Sequence, residues 1–389
     1  MYLDAAATAP MRREALEAAW PYLTGEFGNP SSQHSLGERA AAGLTAARRQ
    51  VAGVLDCRAS EAVFTSGGTE GANLAIKGLA LANPRGRHLV TAATEHEAVL
   101  ESVDYLRRLH GFEVSFVDVT RAGVVTPDAL TAVLREDTTL VSVALANNEI
   151  GTVQDLAALA GVAHGVGALV HTDAVQAAGW LDLDVRELGV DALSVSGHKV
   201  GAGKGIGAVF LRGRLPVEPV LHGGGQERER RSGTENVAGA AALGAALSLA
   251  DAECGERAER IAAARDAFIA RVRELVPTAV LTGAEQGSAT AVVGVEGFGR
   301  LPNHASFCFP GVSGEAVLLE LERRGVISSS GSACAAGSDE PSHVLLACGI
   351  DPEIAQTSVR FTFGSDVDVT GLLSAADSVG EAVAAVTAI

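Results

Sequence analysis

Two side chains in this sequence, an amine and a thiol, sit where their surroundings leave their chemistry unmasked. The chain has three lysines, Lys77, Lys199 and Lys204, against 27 arginines. Lys199 closes the stretch Ser196-Gly197-His198-Lys199, which follows the strand-like apolar run Ala192 to Val195. It should therefore point into a crevice above a sheet. An amine can form a Schiff base with a carbonyl compound, which a permanently protonated guanidinium cannot; a solvated loop lysine is the plainer reading of the same position. The thiol is Cys334. Ten of the eleven residues 328–338 are Ser, Gly or Ala, and Cys334 is the exception. Nothing there can anchor a core, which predicts a mobile loop carrying a nucleophile able to travel.

Other candidates gather at the ends of expected strands. Ser66-Gly67-Gly68-Thr69-Glu70 joins a strand to a helix, and free N–H groups with the helix dipole would favour a phosphate there; a tight turn is the alternative. Thr94-Glu95-His96-Glu97 has the spacing of a capping box, with Thr94 as cap. That places His96 in the first helical turn, where the dipole disfavours imidazolium. A neutral histidine suits stacking on a flat ring or accepting a proton, or else fills a helix-end pocket. Asn148 and the His171-Thr172-Asp173-Ala174-Val175-Gln176 stretch end two further strands, where open α/β sheets place ligands. The stretch from His222 to Thr234 combines four glycines with three arginines and a hydroxyl and suits a phosphate, a partner subunit or solvent. In Ser358 to Phe363 strict alternation turns 359, 361 and 363 to a core and leaves Arg360 on the opposite face, suited to bidentate capture of a carboxylate.

These residues need a scaffold, and a β-then-α alternation through the first 250 residues supplies one. The expected strands are 63–65, 88–91, 112–117, 140–145, 168–171, 192–195 and 207–211, with helices over 11–23, 39–55 and 94–110. Such alternation predicts an α/β fold with a mainly parallel sheet covered by helices. After residue 250 a charge-rich helix, 251–276, precedes expected strands at 291–295, 305–309 and 359–363. The organisation this implies is a large domain over 13–250 and a smaller α+β domain from 1–12 and 251–389.

A 47% apolar fraction suits an ordinary globular core, and a net charge of −17 argues against a nucleic-acid-binding surface. No uncharged apolar run of about 18 residues is seen, so no membrane association is expected. The five cysteines form no C-x-x-C pair and the N-terminus has no basic-then-apolar leader, so reduced thiols in a cytoplasm are expected. The histidines lack ligand spacing, and no metal is expected.

Taken together, Y-L-D-A-A-A-T-A-P, F-G-N-P-S-S, T-S-G-G-T-E, T-E-H, N-N-E-I-G, H-T-D-A-V-Q, S-G-H-K, H-G-G-G-Q-E-R and S-S-G-S-A-C closely resemble the cysteine desulfurases of the class V aminotransferase fold, in the branch with a long cysteine loop. The resemblance runs the length of the chain and implies the type I fold of pyridoxal 5'-phosphate enzymes. It implies that Lys199 holds the cofactor as a Schiff base, that His96 stacks on the ring and moves protons, and that Asp173 pairs with the ring nitrogen. Asn148 and Gln176 would contact the ring's substituents. Gly68, Thr69, Ser196 and His198 would take the phosphate, with Thr234 reaching it from the second subunit of a homodimer. Asn29 and Arg360 would bind the carboxylate of L-cysteine. Cys334 would attack the substrate sulfur, release L-alanine, and pass the persulfide to an acceptor such as an iron–sulfur scaffold or a tRNA-thiolation enzyme. Ala202-Gly203 stands where the family usually has Gly-Pro, and Ala9 replaces a common threonine. A related lyase acting on selenocysteine or cysteine sulfinate, and a partner that has lost the chemistry, are the alternatives.

Overall fold

The alternating segments build, in a computed structural model describing residues 1–83, 85–213, 215–285, 299–331 and 340–388, a seven-stranded sheet wrapped by helices. The strands in chain order are β1 (Ala62–Thr65), β2 (His88–Ala92), β3 (Glu113–Val117), β4 (Thr138–Ser142), β5 (Thr152–Val153), β6 (Leu169–Asp173), β7 (Ala192–Ser196), β8 (Gly207–Leu211), β9 (Val280–Leu281), β10 (Gly299–Arg300), β11 (His304–Cys308) and β12 (Ser358–Thr362). The helices are α1 (Arg13–Thr24), α2 (Ser35–Val54), α3 (Gly68–Ala82), α4 (Glu97–His110), α5 (Pro127–Val133), α6 (Leu156–Gly165), α7 (Val237–Ala252), α8 (Cys254–Leu275), α9 (Gly314–Arg323), α10 (His343–Ala347), α11 (Pro352–Ala355) and α12 (Val369–Thr387).

The large sheet runs β1-β8-β7-β6-β4-β2-β3. Neighbours from β7 through β3 are parallel, while β8 lies antiparallel to both β7 and β1. Strands β2, β4 and β7 are buried along their whole length, polar residues such as His88, Thr138 and Ser194 included, as expected of a sheet covered on both faces. Their C-terminal ends face one crevice, as expected of open parallel sheets.

A second core lies around the antiparallel sheet β12-β11-β9. Phe268 of α8 meets Phe307, Phe361 and Phe363 at ring-centroid distances of 6.5, 5.1 and 5.4 Å. The tilted and edge-on arrangements add to the area these rings bury. Leu3 joins this core from the start of the chain. The alternation read in β12 holds, since Val359, Phe361 and Phe363 are all fully buried. The expected strand at 291–295 lies outside the described residues.

One element departs from expectation. Helix α12 is long and apolar enough to cross a membrane by length and composition. It instead packs on α8 and α9, with Leu372, Ala376 and Val379 buried in the second core, and that packing accounts for its apolar stripe.

Candidate active site

Strand β7 ends at Ser196 and passes into a single 3-10 turn, Gly197–Lys199, so Lys199 leaves the sheet edge within one turn of a fully buried strand. Its amine donates to the carbonyl of Ala7 at 2.8 Å and also to that of Ala6. On the neighbouring strand β6, Asp173 is the last residue; its Oδ1 accepts from Val175 N at 2.9 Å. Burial raises the Asp173 pKa, and the hydrogen bond from Val175 N with the nearby His96 and Lys199 offsets only part of that rise. His198 sits beside Lys199 with Nδ1 3.2 Å from Thr8 Oγ1. Burial first, then the charges of Lys199 and Lys204, lower its pKa to about 4, so it is neutral near pH 7.

Helix α3 starts at Gly68 with no side chain capping its N-terminus, which leaves backbone donors and the positive dipole end for an anion. A Cβ at position 68 would lie 2.7 Å from Val175 Cγ2, so only glycine permits this approach. Glu70 in the first turn pairs with Arg231 at 2.8 Å, tying the 222–234 stretch to this helix.

The expected capping box at 94–97 is not what forms. Helix α4 begins at Glu97, and His96 is its cap, with Nδ1 accepting from Ala98 N at 3.0 Å. Thr94 cannot take that place because its carbonyl accepts from Asn147 Nδ2 at 2.8 Å. Glu95 turns inward, and its Oε1 accepts from Ala144 N at 2.9 Å. Capping the helix orients the His96 ring and commits Nδ1 as an acceptor, which leaves Nε2 as the protonated nitrogen of the neutral ring.

These groups line one cavity of about 500 Å³. Of the residues expected at the site, Gly68, Thr69, His96, Asn148, Asp173, Gln176, Ser196, His198, Lys199 and Arg360 all border it. Asn29 and Thr234 do not. Both are exposed, and Asn29 Oδ1 accepts from Ser31 N at 2.9 Å within its own turn. Cys334 lies outside the described residues. Flanking it, Gly331 has its carbonyl on Arg360 NH1 at 3.0 Å, and Glu340 borders the cavity.

Arg360, 1% exposed, also borders the cavity. NH1 donates to the carbonyls of Asn148 at 3.1 Å and Gly331, and NH2 to Asp4 Oδ1 at 2.9 Å and Ser329 Oγ at 3.3 Å. Nε is buried and has no partner among the described residues.

Several neighbours went unread in the sequence. Glu95 is fully buried with Oε2 unpaired among the described residues, and desolvation pushes its pKa up to about 8. Glu149 accepts from Ser342 Oγ at 2.5 Å and lies within 2.9 Å of where a Cβ at Gly331 would stand. His343 borders the cavity with Nε2 3.1 Å from the Glu95 carbonyl. Asp4, Glu95 and Glu149 all sit inside the motifs Y-L-D, T-E-H and N-N-E-I-G, so the signal was present and only their roles were not.

The donor set fits pyridoxal 5'-phosphate: an uncapped glycine-led helix end for the phosphate, an amine for the aldehyde carbon, and a desolvated carboxylate for a protonated ring nitrogen. Comparison with known proteins agrees. The aminotransferase class-V family model matches residues 1–372. The cysteine desulfurase IscS of Dictyoglomus turgidum is 44% identical over 365 residues, covering 94% of this chain and 89% of that protein. Among solved structures, a NifS-like protein superposes with a TM-score of 0.87 at 33% identity, covering 98% of both chains. A structure described as SspA in complex with cysteine superposes with a TM-score of 0.76 at 31% identity, covering 93% of this chain and 98% of that one. The chain belongs to the aminotransferase class-V family and uses its cofactor, pyridoxal 5'-phosphate.

Proposed function

We propose that the protein is a cysteine desulfurase, taking sulfur from L-cysteine onto Cys334 and releasing L-alanine. The observation that carries this reading is one cavity bordered by Lys199, Asp173, His96 and Arg360, with Gly331, bonded to Arg360, and Glu340, on its lining, on either side of the segment that holds Cys334. Relatives named cysteine desulfurase, at 38–44% identity, support it, as does the neighbour described in complex with cysteine.

When bound, pyridoxal phosphate supplies an electron sink for the substrate's carbon skeleton. Lys199 would hold the cofactor's aldehyde carbon. Asp173 would pair with the ring nitrogen, and its burial would make that charged pair strong because little water competes. Gly68, Thr69, Ser196 and His198 would hold the phosphate, the neutral His198 as a hydrogen-bond partner rather than a charge. His96, Asn148 and Gln176 would contact the ring. Arg360 takes the substrate carboxylate. The Cys334 thiolate attacks the substrate sulfur: an S–S bond forms, the C–S bond breaks, and its electron pair passes to the carbon, which is protonated to give alanine.

The working unit is a homodimer, supported by the exposed apolar residues Leu16, Trp20 and Leu23 of α1 with Phe27 beyond it. In that dimer Thr234 and Asn29, exposed on their own chain, serve the partner's cavity. A sulfur-acceptor protein, an iron–sulfur scaffold or a tRNA-thiolation enzyme, takes the persulfide, and a reducing cytoplasm suits a thiol that must be regenerated each cycle. Incubation of the holoenzyme with L-cysteine and a reductant should yield alanine and sulfide in equal amounts, and Cys334→Ser should yield neither. Sulfide release that survives Cys334→Ser would sink the thiol mechanism.

A further inference from the structure

Arg360 already carries a carboxylate. Its NH2 group is held by Asp4 Oδ1 at 2.9 Å, and the Asp4 side chain is itself only 16% exposed against 2% for Arg360. Both terminal nitrogens are fully committed, NH1 to two backbone carbonyls and NH2 to Asp4 and Ser329, while Nε alone is unpartnered among the described residues. A guanidinium offers its donors as a rigid fork, so a second carboxylate gripping Nε in bidentate fashion must take its other bond from NH2. That nitrogen is the one Asp4 holds.

We infer that Asp4 is a resident competitor that sets how tightly the site grips the substrate carboxylate. This rests on the reading of Arg360 as the carboxylate anchor. Either the incoming carboxylate displaces Asp4 from NH2, or it binds beside an arginine whose charge Asp4 already balances. Both routes weaken binding in the same direction, so the sign does not depend on which is followed. Asp4 acts through Arg360 and touches neither cofactor nor reacting atoms; it is a positioning residue. Weak binding has a use here, because the product keeps the same carboxylate as the substrate. A site that released alanine slowly would stall each cycle, and lower affinity for both shortens that stall.

The test uses the pyridoxal-phosphate-loaded protein and two probes with no sulfur to transfer, L-alanine and its amide, which lacks the charged carboxylate. Calorimetry should show Asp4→Asn binding L-alanine about fivefold or more tightly than the parent, with the amide unchanged. Asp4→Glu, which keeps the charge, should stay near the parent, and Ser329→Ala, which frees NH2 without altering charge, should shift affinity less than Asp4→Asn does. With L-cysteine, KM should fall in Asp4→Asn while kcat stays level or drops as release slows. If Asp4→Asn folds poorly, L-alanine should raise its melting temperature more than the parent's and the amide should not. Equal or weaker L-alanine binding by Asp4→Asn overturns the inference, as does an equal gain in Ser329→Ala. An Arg360→Ala chain that binds L-alanine as well as the parent instead overturns the anchor role of Arg360, and the inference with it.

Discussion

Around Lys199 the polar groups stand at adjacent strand ends, Asp173 and Ser196 closing β6 and β7 and Lys199 in the turn just after β7, whereas Arg360 is held by Asp4, Asn148 and the 329–331 stretch, three segments far apart in sequence. The first group is braced by one hydrogen-bonded sheet. The second exists only where separate segments converge on one buried guanidinium. The first should therefore tolerate little chemical change but much mechanical stress, and the second the reverse.

The largest effect expected is at Lys199. Lys199→Ala should lower turnover of L-cysteine by at least about 10³-fold, since no neighbouring amine replaces it. Borohydride reduction and peptide mapping of the parent should find the cofactor on Lys199 alone; label on Lys204 would move the reaction centre to the adjacent loop. In the second group, Arg360→Ala should raise KM for L-cysteine roughly 10- to 100-fold, the worth of a charged bidentate contact, with cofactor content unchanged. Loss of cofactor in that variant would show that the two groups are not separable.

Glu95, buried and next to His96 in the chain, allows a pH test of the first group. Its folded pKa is about 8 against an ordinary 4.5, so between those values the folded state binds more protons than the unfolded one. Stability from this group is present at low pH, declines as pH rises through about 4.5, and levels off above about 8. The buried His171, lowered to about 3 by desolvation, acts oppositely below its ordinary 6.5, so the contribution must be read as a difference. The parent-minus-Glu95→Gln difference in unfolding free energy should fall by roughly 3–5 kcal/mol across that window. A flat difference would mean that Glu95 is paired and charged.

The smallest effect is expected within the 222–234 segment that Arg231 ties to α3. Glu227, Arg228 and Glu229 occupy consecutive left-handed conformations with φ of 48°, 60° and 67°. Glu227 is held by the buried Arg48 and by Phe64 N, but the side chain of the exposed Glu229 has no comparable tie among the described residues. Glu229→Gly should raise stability by about 0.5–1 kcal/mol, measured by denaturant midpoint, because glycine adopts that conformation without the Cβ clash. A loss of stability would show that the side chain does more than fill solvent.

The same contrast explains what could be read from the sequence. Ser196-Gly197-His198-Lys199, Asp173 and Gly68 were legible because strand ends and helix starts are local patterns, and the sheet order then brings them together. Alternation in β12 identified the buried phenylalanines and put Arg360 on the other face. It could not name Asp4, whose partner is 356 residues away. Thr94 was misread for a related reason: capping-box spacing is a local preference, and the tertiary bonds from Asn147 to the Thr94 carbonyl and from Ala144 to Glu95 outweigh it. Nothing local distinguishes a glutamate facing solvent from one turned into a core.

The first nine residues touch both groups. Ala5 N donates to the Thr362 carbonyl, Ala9 N to that of His198, and Ala6 and Ala7 receive the Lys199 amine. On the ribosome Asp4 is made 356 residues ahead of its partner Arg360. The segment around Asp4 must therefore wait, unpaired on that side, until β12 has been made. The large sheet can form before then, but the pocket cannot close, so stable cofactor capture follows the synthesis of β12.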